Sequence, residues 1–252
     1  MHDFIVSKLK EIEQNDDCRI LFAVESGSRA WGFESTDSDW DVRFVYYRPT
    51  KAYLRLDPPR DVIEKTLEND LDVVGWDLTK ALKLMHKCNP SIMEWLNTTM
   101  IYMEDAALTN ELRTLSTGFF KLTPALHHYG NMAKTNYAKH LQKELVSLKK
   151  YLYVIRPLLA CRWLEREPGW PAIEFGTLVD KCQHDPEVLS ELDMLVAMKK
   201  SGKEFELGPR NKVMHEWIEA ELASLKTNSE GELSNPDLTP LNDWFYRVIS
   251  SQ

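Results

Sequence analysis

The stretch that decides the fold runs from Gly27 to Asp41, GSRAWGFESTDSDWD. On its N-terminal side lies CRILFAVES (18–26), a short continuous apolar run closed by Gly27, the pattern of a buried strand. On its C-terminal side DVRFVYY (41–47) alternates, with Val42, Phe44 and Tyr46 on one face and Asp41, Arg43 and Val45 on the other. The stretch is therefore a Gly-, Ser- and Asp-rich loop joining two strands. Residues two apart on an extended chain project to the same side, so Asp39 and Asp41 point together. Two carboxylates so close repel each other, and the arrangement persists most easily around divalent cations. All-oxygen ligands of this kind select Mg²⁺ or Mn²⁺ rather than zinc. An acidic hairpin turn is the competing reading, because Ser, Thr and Asp are ordinary loop residues.

The neighbours of the pair carry two readings each. Gly27 permits close backbone approach or positive φ, and Ser28 with nearby N–H groups offers a cradle for a terminal phosphate or makes a plain turn. Arg43 shares the face of Asp41 and reaches a carboxylate, a phosphate or solvent. Trp31 lies in the loop, where a buried anchor is the more frequent role of such a ring; Trp76 and Trp95 read as core.

Outward from this centre, Ile5, Leu9 and Ile12 mark an amphipathic helix over 4–14. After the second strand, RPTKAYLRLDPPRD holds Pro49, Pro58 and Pro59 and reads mostly as loop, followed by DVIEKTL as an edge strand and LDVVGW (71–76) as a third strand. Asp77 suits the N-cap of the helix DLTKALKLMHKC, which Asn89-Pro90 stops. Beyond about residue 105 the strand pattern gives way to helical patterns, at about 105–118, 123–142, 143–166, 186–200 and 209–226. The expected fold class is α+β: a small mixed-sheet domain over 1–104, followed by an all-helical domain over 105–252. A polar tail from Thr227 precedes LNDWFYRVI, an apolar segment expected to dock back.

Composition bounds the function. The chain has 252 residues, 43% apolar and 28% charged, with 10 Gly and 12 Pro, which excludes collagen-like, low-complexity and disordered classes. Apolar runs such as LFAV fall far short of the roughly 18–20 residues that span a bilayer. The N-terminus lacks the apolar core of a secretory signal, so no membrane partner and a cytoplasmic location are expected. Cys18, Cys88, Cys161 and Cys182 form no C-x-x-C pair and read as reduced thiols; Cys182 and His184 lack a matching second pair for zinc.

The net charge of −8 argues against a uniformly basic nucleic-acid surface. Yet Lys134 to Arg166 carries eight lysines and arginines against two acids, a place for an anionic partner. Within it Lys149, Tyr153 and Arg156 fall at i, i+4 and i+7, so that one helical face presents cations around an aromatic ring. That suits a triphosphate, or equally a solvated basic face with its tyrosines packed inward. Lys150 replaces Lys149 if the helix is rotated. His127, His128 and His140 read as satisfied or exposed histidines.

A strand, then Gly-Ser, then a gap, then D-x-D entering a second strand resembles the signature of the DNA polymerase beta-like nucleotidyltransferase superfamily. More narrowly, GSRAWGF, DSDWDVRFVY, GWDLTKAL, NPSIMEWL and KKYLYVIRPLLA resemble the predicted nucleotidyltransferases linked with RNA-repair pathways, over residues 25 to about 166. The resemblance implies that Gly27 and Ser28 contact the phosphates; Arg29 beside them and the helical face of Lys149, Tyr153 and Arg156 are the further candidates for binding the nucleotide. It implies Asp39 and Asp41 as ligands of Mg²⁺ or Mn²⁺, and a third carboxylate on a neighbouring strand that completes the site and acts as base. Asp72 is the choice, sharing a face with Val74 and Trp76. Asp77 is explained by capping, and Asp70 stays open.

The implied activity is metal-dependent transfer of a nucleoside monophosphate from a nucleoside triphosphate to an acceptor hydroxyl, with release of pyrophosphate. The basic segment favours an RNA end as acceptor. The alternatives are an enzyme that puts AMP on protein hydroxyls, and an inactive nucleotide- or RNA-binding module. Retained like charges at Asp39 and Asp41 argue against the last.

Overall fold

The computed structural model describes residues 1–182, 184–202, 207–225 and 236–250. Most of the polar tail that begins at Thr227 lies outside the described residues.

The first elements follow the sequence pattern closely: helix α1 (His2–Asn15), strand β1 (Arg19–Glu25), the single turn α2 (Gly27–Ala30) and strand β2 (Trp40–Tyr47). After the short α3 (Thr50–Tyr53) come β3 (Val62–Leu67), β4 (Leu71–Asp77), α4 (Leu78–His86), α5 (Pro90–Asn97), β5 (Ile101–Glu104) and α6 (Ala106–Ser116). The five strands form one mixed sheet in the order β3-β4-β2-β1-β5. Strand β1 runs antiparallel to β2 and β5, β2 parallel to β4, and β3 antiparallel to β4. DVIEKTL is indeed an edge strand. Its turn into β4 places Asn69 and Asp70 in the left-handed region, at φ 62° and 53°, which Asn and Asp tolerate best.

One sheet face is closed by α1, whose Ile5, Leu9 and Ile12 are buried with Ala23, Val42, Phe44, Tyr46, Ile63, Leu71 and Val73. Gly75 stands opposite Phe44 across β2 and β4, where a Cβ would come within 2.1 Å of the Phe44 ring, so only glycine lets that ring cross the strand. On β4, Trp76 stacks on Trp95 of α5 at 3.9 Å between centroids. Asp77 caps α4 by accepting from the Thr79 N–H at 2.9 Å, and Asn89 caps α5 with Pro90 at its first position.

The described chain separates into two compact units. The sheet unit holds Met1–Ala30, Asp39–Phe120 and the C-terminal helix; the helical unit holds Trp31–Ser38 and the chain from Lys121 onward to that helix. The helical unit consists of α7 (Leu122–His140), β6 (Leu145–Ser147), α8 (Lys149–Arg166), α9 (Phe175–Lys181), α10 (Pro186–Lys200), β7 (Leu207–Pro209) and α11 (Lys212–Ser224). The C-terminal α12 (Thr239–Ser250) docks on α6, where Trp244 Nε1 donates to Glu111 at 3.0 Å.

The α+β class holds, and the helical part adds a small β6–β7 ribbon that the helical pattern over 143–166 does not anticipate. Val146 pairs with Gly208, and Arg210 ties down the Lys143 carbonyl at 2.9 Å together with that of Gln142, so helix α8 starts only at Lys149. Pro157 then interrupts the backbone ladder of α8 without breaking the helix. The missing N–H leaves the Tyr153 carbonyl without its usual donor, and Asn136 of α7 supplies one from its side-chain amide at 3.2 Å.

Candidate active site

The register of two parallel strands builds the centre of the site. Asp41 of β2 lies directly beside Asp72 of β4, on strands ~4.8 Å apart, although they are far apart in sequence. Between them sits Arg43. Its Nη2 donates to Asp41 Oδ1 and to Asp72 Oδ2, each at 2.9 Å, and its Nη1 to the Val42 and Asp72 carbonyls at 3.0 and 3.1 Å. The side chains of Arg43, Asp41 and Asp72 are 17%, 28% and 42% exposed, so the group opens to solvent on its carboxylate side. Burial raises the Asp41 pKa; Arg43 opposes that rise, and the negative charges of Asp72 and Asp39 add to it. Asp39 is exposed at the entrance of β2.

Gly27 is glycine for a reason visible in this geometry. Its φ is +62°, and a Cβ would lie 2.0 Å from Asp41 Oδ2, in the space the carboxylate occupies. Ser28 follows it and is buried. Arg29 lays its guanidinium 3.7 Å from the centroid of Trp40 and donates from Nε to the Asp39 carbonyl at 3.1 Å, which pins the start of β2. Among the three carboxylates weighed as third member, Asp72 flanks Asp41. Asp77 is buried, caps α4 and accepts from Tyr53 Oη at 3.1 Å, and Asp70 is exposed in the β3–β4 turn, its carbonyl accepting from Trp40 N–H.

Glu25, the last residue of β1, is 1% exposed. It accepts from the Asp41 N–H at 3.0 Å and from Tyr102 Oη at 2.5 Å. Burial pushes its carboxyl up to about 6 despite both hydrogen bonds, with Asp41 adding a smaller rise. Burial, and after it the same contact, raises the Tyr102 hydroxyl. Glu25 therefore sets the backbone position of Asp41 from behind.

After Ala30 the chain joins the helical unit and returns to the sheet at Asp39. Phe33 is fully buried in the helical core, the Trp31 carbonyl accepts from Phe175 N–H, and Lys199 of α10 donates to Ser38 and Ser35 at 3.0 and 3.3 Å. On α8, Lys149 and Tyr153 are half-buried, and Tyr153 packs edge-on against Trp31 at 5.6 Å with Lys150 over its ring at 5.0 Å. Arg156 is 3% exposed; Nε and Nη2 donate to the Ile173 carbonyl at 3.3 and 3.0 Å, and the guanidinium lies 4.5 Å from the Trp31 ring. Burial, with Lys150 and Lys139 close by, lowers the His140 pKa; burial, with Lys149 and Lys139, lowers that of Lys150.

Residues 1–247 match the family model described as the RNA repair pathway DNA polymerase beta family. The chain belongs to that family. It is 42% identical over 222 residues to a Bacillus subtilis (strain 168) protein titled uncharacterized protein YcgL, covering 88% of this chain and 85% of that one. It is also similar to a solved nucleotidyltransferase-like protein from Exiguobacterium sibiricum 255-15, with a TM-score of 0.34 and 9% identity over all of this chain and 80% of that one.

As a member of the RNA repair pathway DNA polymerase beta family, the chain is of polymerase beta-like nucleotidyltransferase type. Divalent metals are general to such proteins, and the donor chemistry here fits one: Asp39, Asp41 and Asp72 offer hard oxygens of the sort Mg²⁺ and Mn²⁺ take. Among the described residues no three carboxylates, histidines or cysteines already converge as a metal cage; Arg43 supplies the positive charge between Asp41 and Asp72 instead. Cys182 and His184 gain no third ligand there either. No described helix is long and apolar enough to cross a membrane.

Sequence reasoning missed Glu25 and Tyr102. The signal for Glu25 was a charged residue closing an apolar strand run directly before Gly-Ser. Tyr102 gives none, because β5 is short and its pairing with β1 is long-range.

Proposed function

We propose that this chain is a metal-dependent nucleotidyltransferase that moves a nucleoside monophosphate from a nucleoside triphosphate onto an acceptor hydroxyl, with an RNA end as acceptor and pyrophosphate as leaving group. The observation that carries the reading is the in-register pair Asp41–Asp72 on parallel strands, with Asp39 two residues upstream on the chain that follows Gly27-Ser28. A divalent cation held there would supply Lewis-acid stabilisation of the oxygens that gain charge as the phosphoryl group transfers.

The residues divide the remaining work. Asp39 and Asp41 would hold the cation, and Asp72 would complete the set and accept the proton of the attacking hydroxyl. Gly27 lets the Asp41 carboxylate pack against its backbone, and Ser28 and Arg29, next in the chain, are the proposed phosphate contacts. Arg43 neutralises Asp41 and Asp72, which keeps two like charges side by side in the folded chain. Lys149 and Tyr153 are the nucleotide contacts proposed for the helical unit, with Arg156 contributing through the Trp31 ring that it supports. Catalysis in this arrangement is positioning and electrostatics.

The test incubates the full chain with each α-labelled nucleoside triphosphate, Mg²⁺ or Mn²⁺ and small RNAs, beside the Asp39→Ala/Asp41→Ala variant. Label on RNA from the wild type alone supports the reading and names the nucleotide. Label on protein moves the acceptor to protein hydroxyls, and nucleotide binding without transfer to any acceptor contradicts an enzymatic role.

A further inference from the structure

Strand β2 hands the chain on to a second arginine, Arg48, which, unlike Arg43, makes no ion pair with a carboxylate among the described residues, although Asp16 and Asp17 line the same cavity. Arg48 is 9% exposed. Its guanidinium lies 4.9 Å from the Tyr46 ring, Nη1 makes one long hydrogen bond of 3.4 Å to the Asp16 carbonyl, and Nε is buried with no hydrogen-bond partner. Among the described residues no carboxylate lies within ion-pair distance of it. A buried cation without a counter-charge is costly, and so is an unmet buried donor. Both costs vanish if an anion enters from outside.

Room for one is present. Arg48 lines a cavity of about 530 Å³ together with Lys51, Arg55, Asp16 and Asp17. The size falls within the range of small-molecule sites. Lys51 is exposed; Arg55 is shared with Asp57 through contacts of 3.1 and 2.6 Å, and the Asp16 carboxylate faces Lys65 at 3.5 Å. The lining carries three cations against two carboxylates, which suits an anion that also bears hydroxyl or amino donors, and the planar fork of a buried arginine matches phosphate oxygens. Asp16 and Asp17 are acceptors for hydroxyl or amino donors carried on the same molecule. The rim is fixed, because the Arg48 N–H donates to Tyr53 Oη at 3.0 Å and that hydroxyl donates to Asp77. Arg48 lies seven positions on from Asp41, about 23 Å along an extended chain.

We propose that this cavity is a phosphate site, separate from the catalytic carboxylates, which takes a phosphate group free or on a nucleotide, with Arg48 as its buried anchor and Lys51 and Arg55 at its rim. A mononucleotide binds more tightly than inorganic phosphate, since it also offers donors to Asp16 and Asp17.

The test is calorimetric titration of the full-length Asp39→Ala/Asp41→Ala variant, in chelator, with inorganic phosphate, pyrophosphate and AMP. The expected result is saturable binding weakened about tenfold or more by Arg48→Gln and about threefold by Lys51→Gln. Lys51 is exposed, so its substitution keeps the proposal testable even if Arg48→Gln fails to fold. No binding of any of the three at millimolar concentration overturns the proposal, as does binding indifferent to the lysine change. An RNA oligonucleotide that binds through Lys51 where the three small anions do not also overturns it, in favour of a polynucleotide surface.

Discussion

Arg43 and Arg48 lie on the same stretch of chain and meet opposite environments. Arg43 is enclosed by two carboxylates at 2.9 Å, and removing it leaves Asp41 and Asp72 facing each other uncompensated. Arg48 is the more deeply buried of the two, yet has one long hydrogen bond and an unmatched Nε. The lesson is that charge balance inside this sheet is local. One end of β2 carries its counter-charges in the fold, whereas the other leaves a cation for a molecule from outside to match.

The largest effect that tests the carboxylate end is on catalysis. Asp41→Asn is expected to lower nucleotidyl transfer by roughly three orders of magnitude, and Asp72→Asn by about a hundredfold or more. Asp77→Ala is expected to leave the rate near wild type while costing ~1–2 kcal/mol in denaturant unfolding through the lost α4 cap. Equal rate losses for Asp72 and Asp77 would remove Asp72 from the site. Gly27→Ala comes next: its Cβ has no room beside Asp41, so stability is expected to fall by ~1–3 kcal/mol, with most of the transfer rate lost as well.

The comparison itself is sharpened by a matched pair of substitutions. Arg43→Gln is expected to cost ~1–3 kcal/mol, toward the low end for broken buried pairs because the carboxylates are part-exposed. Arg48→Gln is expected to stay within ~1 kcal/mol of wild type in ligand-free buffer, because it removes an uncompensated charge. Similar losses at both positions would show that the two ends do not differ in charge balance.

The smallest effect is a pH dependence near Arg48. Burial pushes the Cys18 thiol up to about 12 although Arg48 pulls it down, and burial does the same to Cys161. The unfolded thiols release their protons near 8.5 while the folded ones keep them, so the folded state binds more protons and loses stability as pH rises from about 8.5 toward 12. At pH 9 the loss is under ~1 kcal/mol for each thiol. Cys18→Ala is expected to flatten the alkaline limb of a stability–pH curve, and an unchanged limb would contradict this assignment.

What the sequence revealed follows from how far each feature reaches along the chain. The strands around residues 18–47, the Asp77 cap and the D-x-D pair are local patterns, readable from period and turn chemistry. That Asp72 stands beside Asp41 is long-range: its face was legible, its partner was not, because register depends on how β2 and β4 align. The same holds for β6 and β7, which find each other across about 60 residues. On α8 the spacing of Lys149, Tyr153 and Arg156 was readable, whereas the use of Arg156 by the Ile173 carbonyl depends on a loop that helical periodicity does not describe. Arg48 drew no attention in the sequence because a strand-end arginine ordinarily faces solvent.

The measurement that bears most directly on the central claim is Mn²⁺ binding followed by electron paramagnetic resonance, in the presence of a nucleoside triphosphate, for wild type and for Asp39→Ala/Asp41→Ala. Protein-bound Mn²⁺ is expected to be saturable in the wild type and lost in the double variant. Equal Mn²⁺ binding by the two proteins, or none by the wild type, would contradict it.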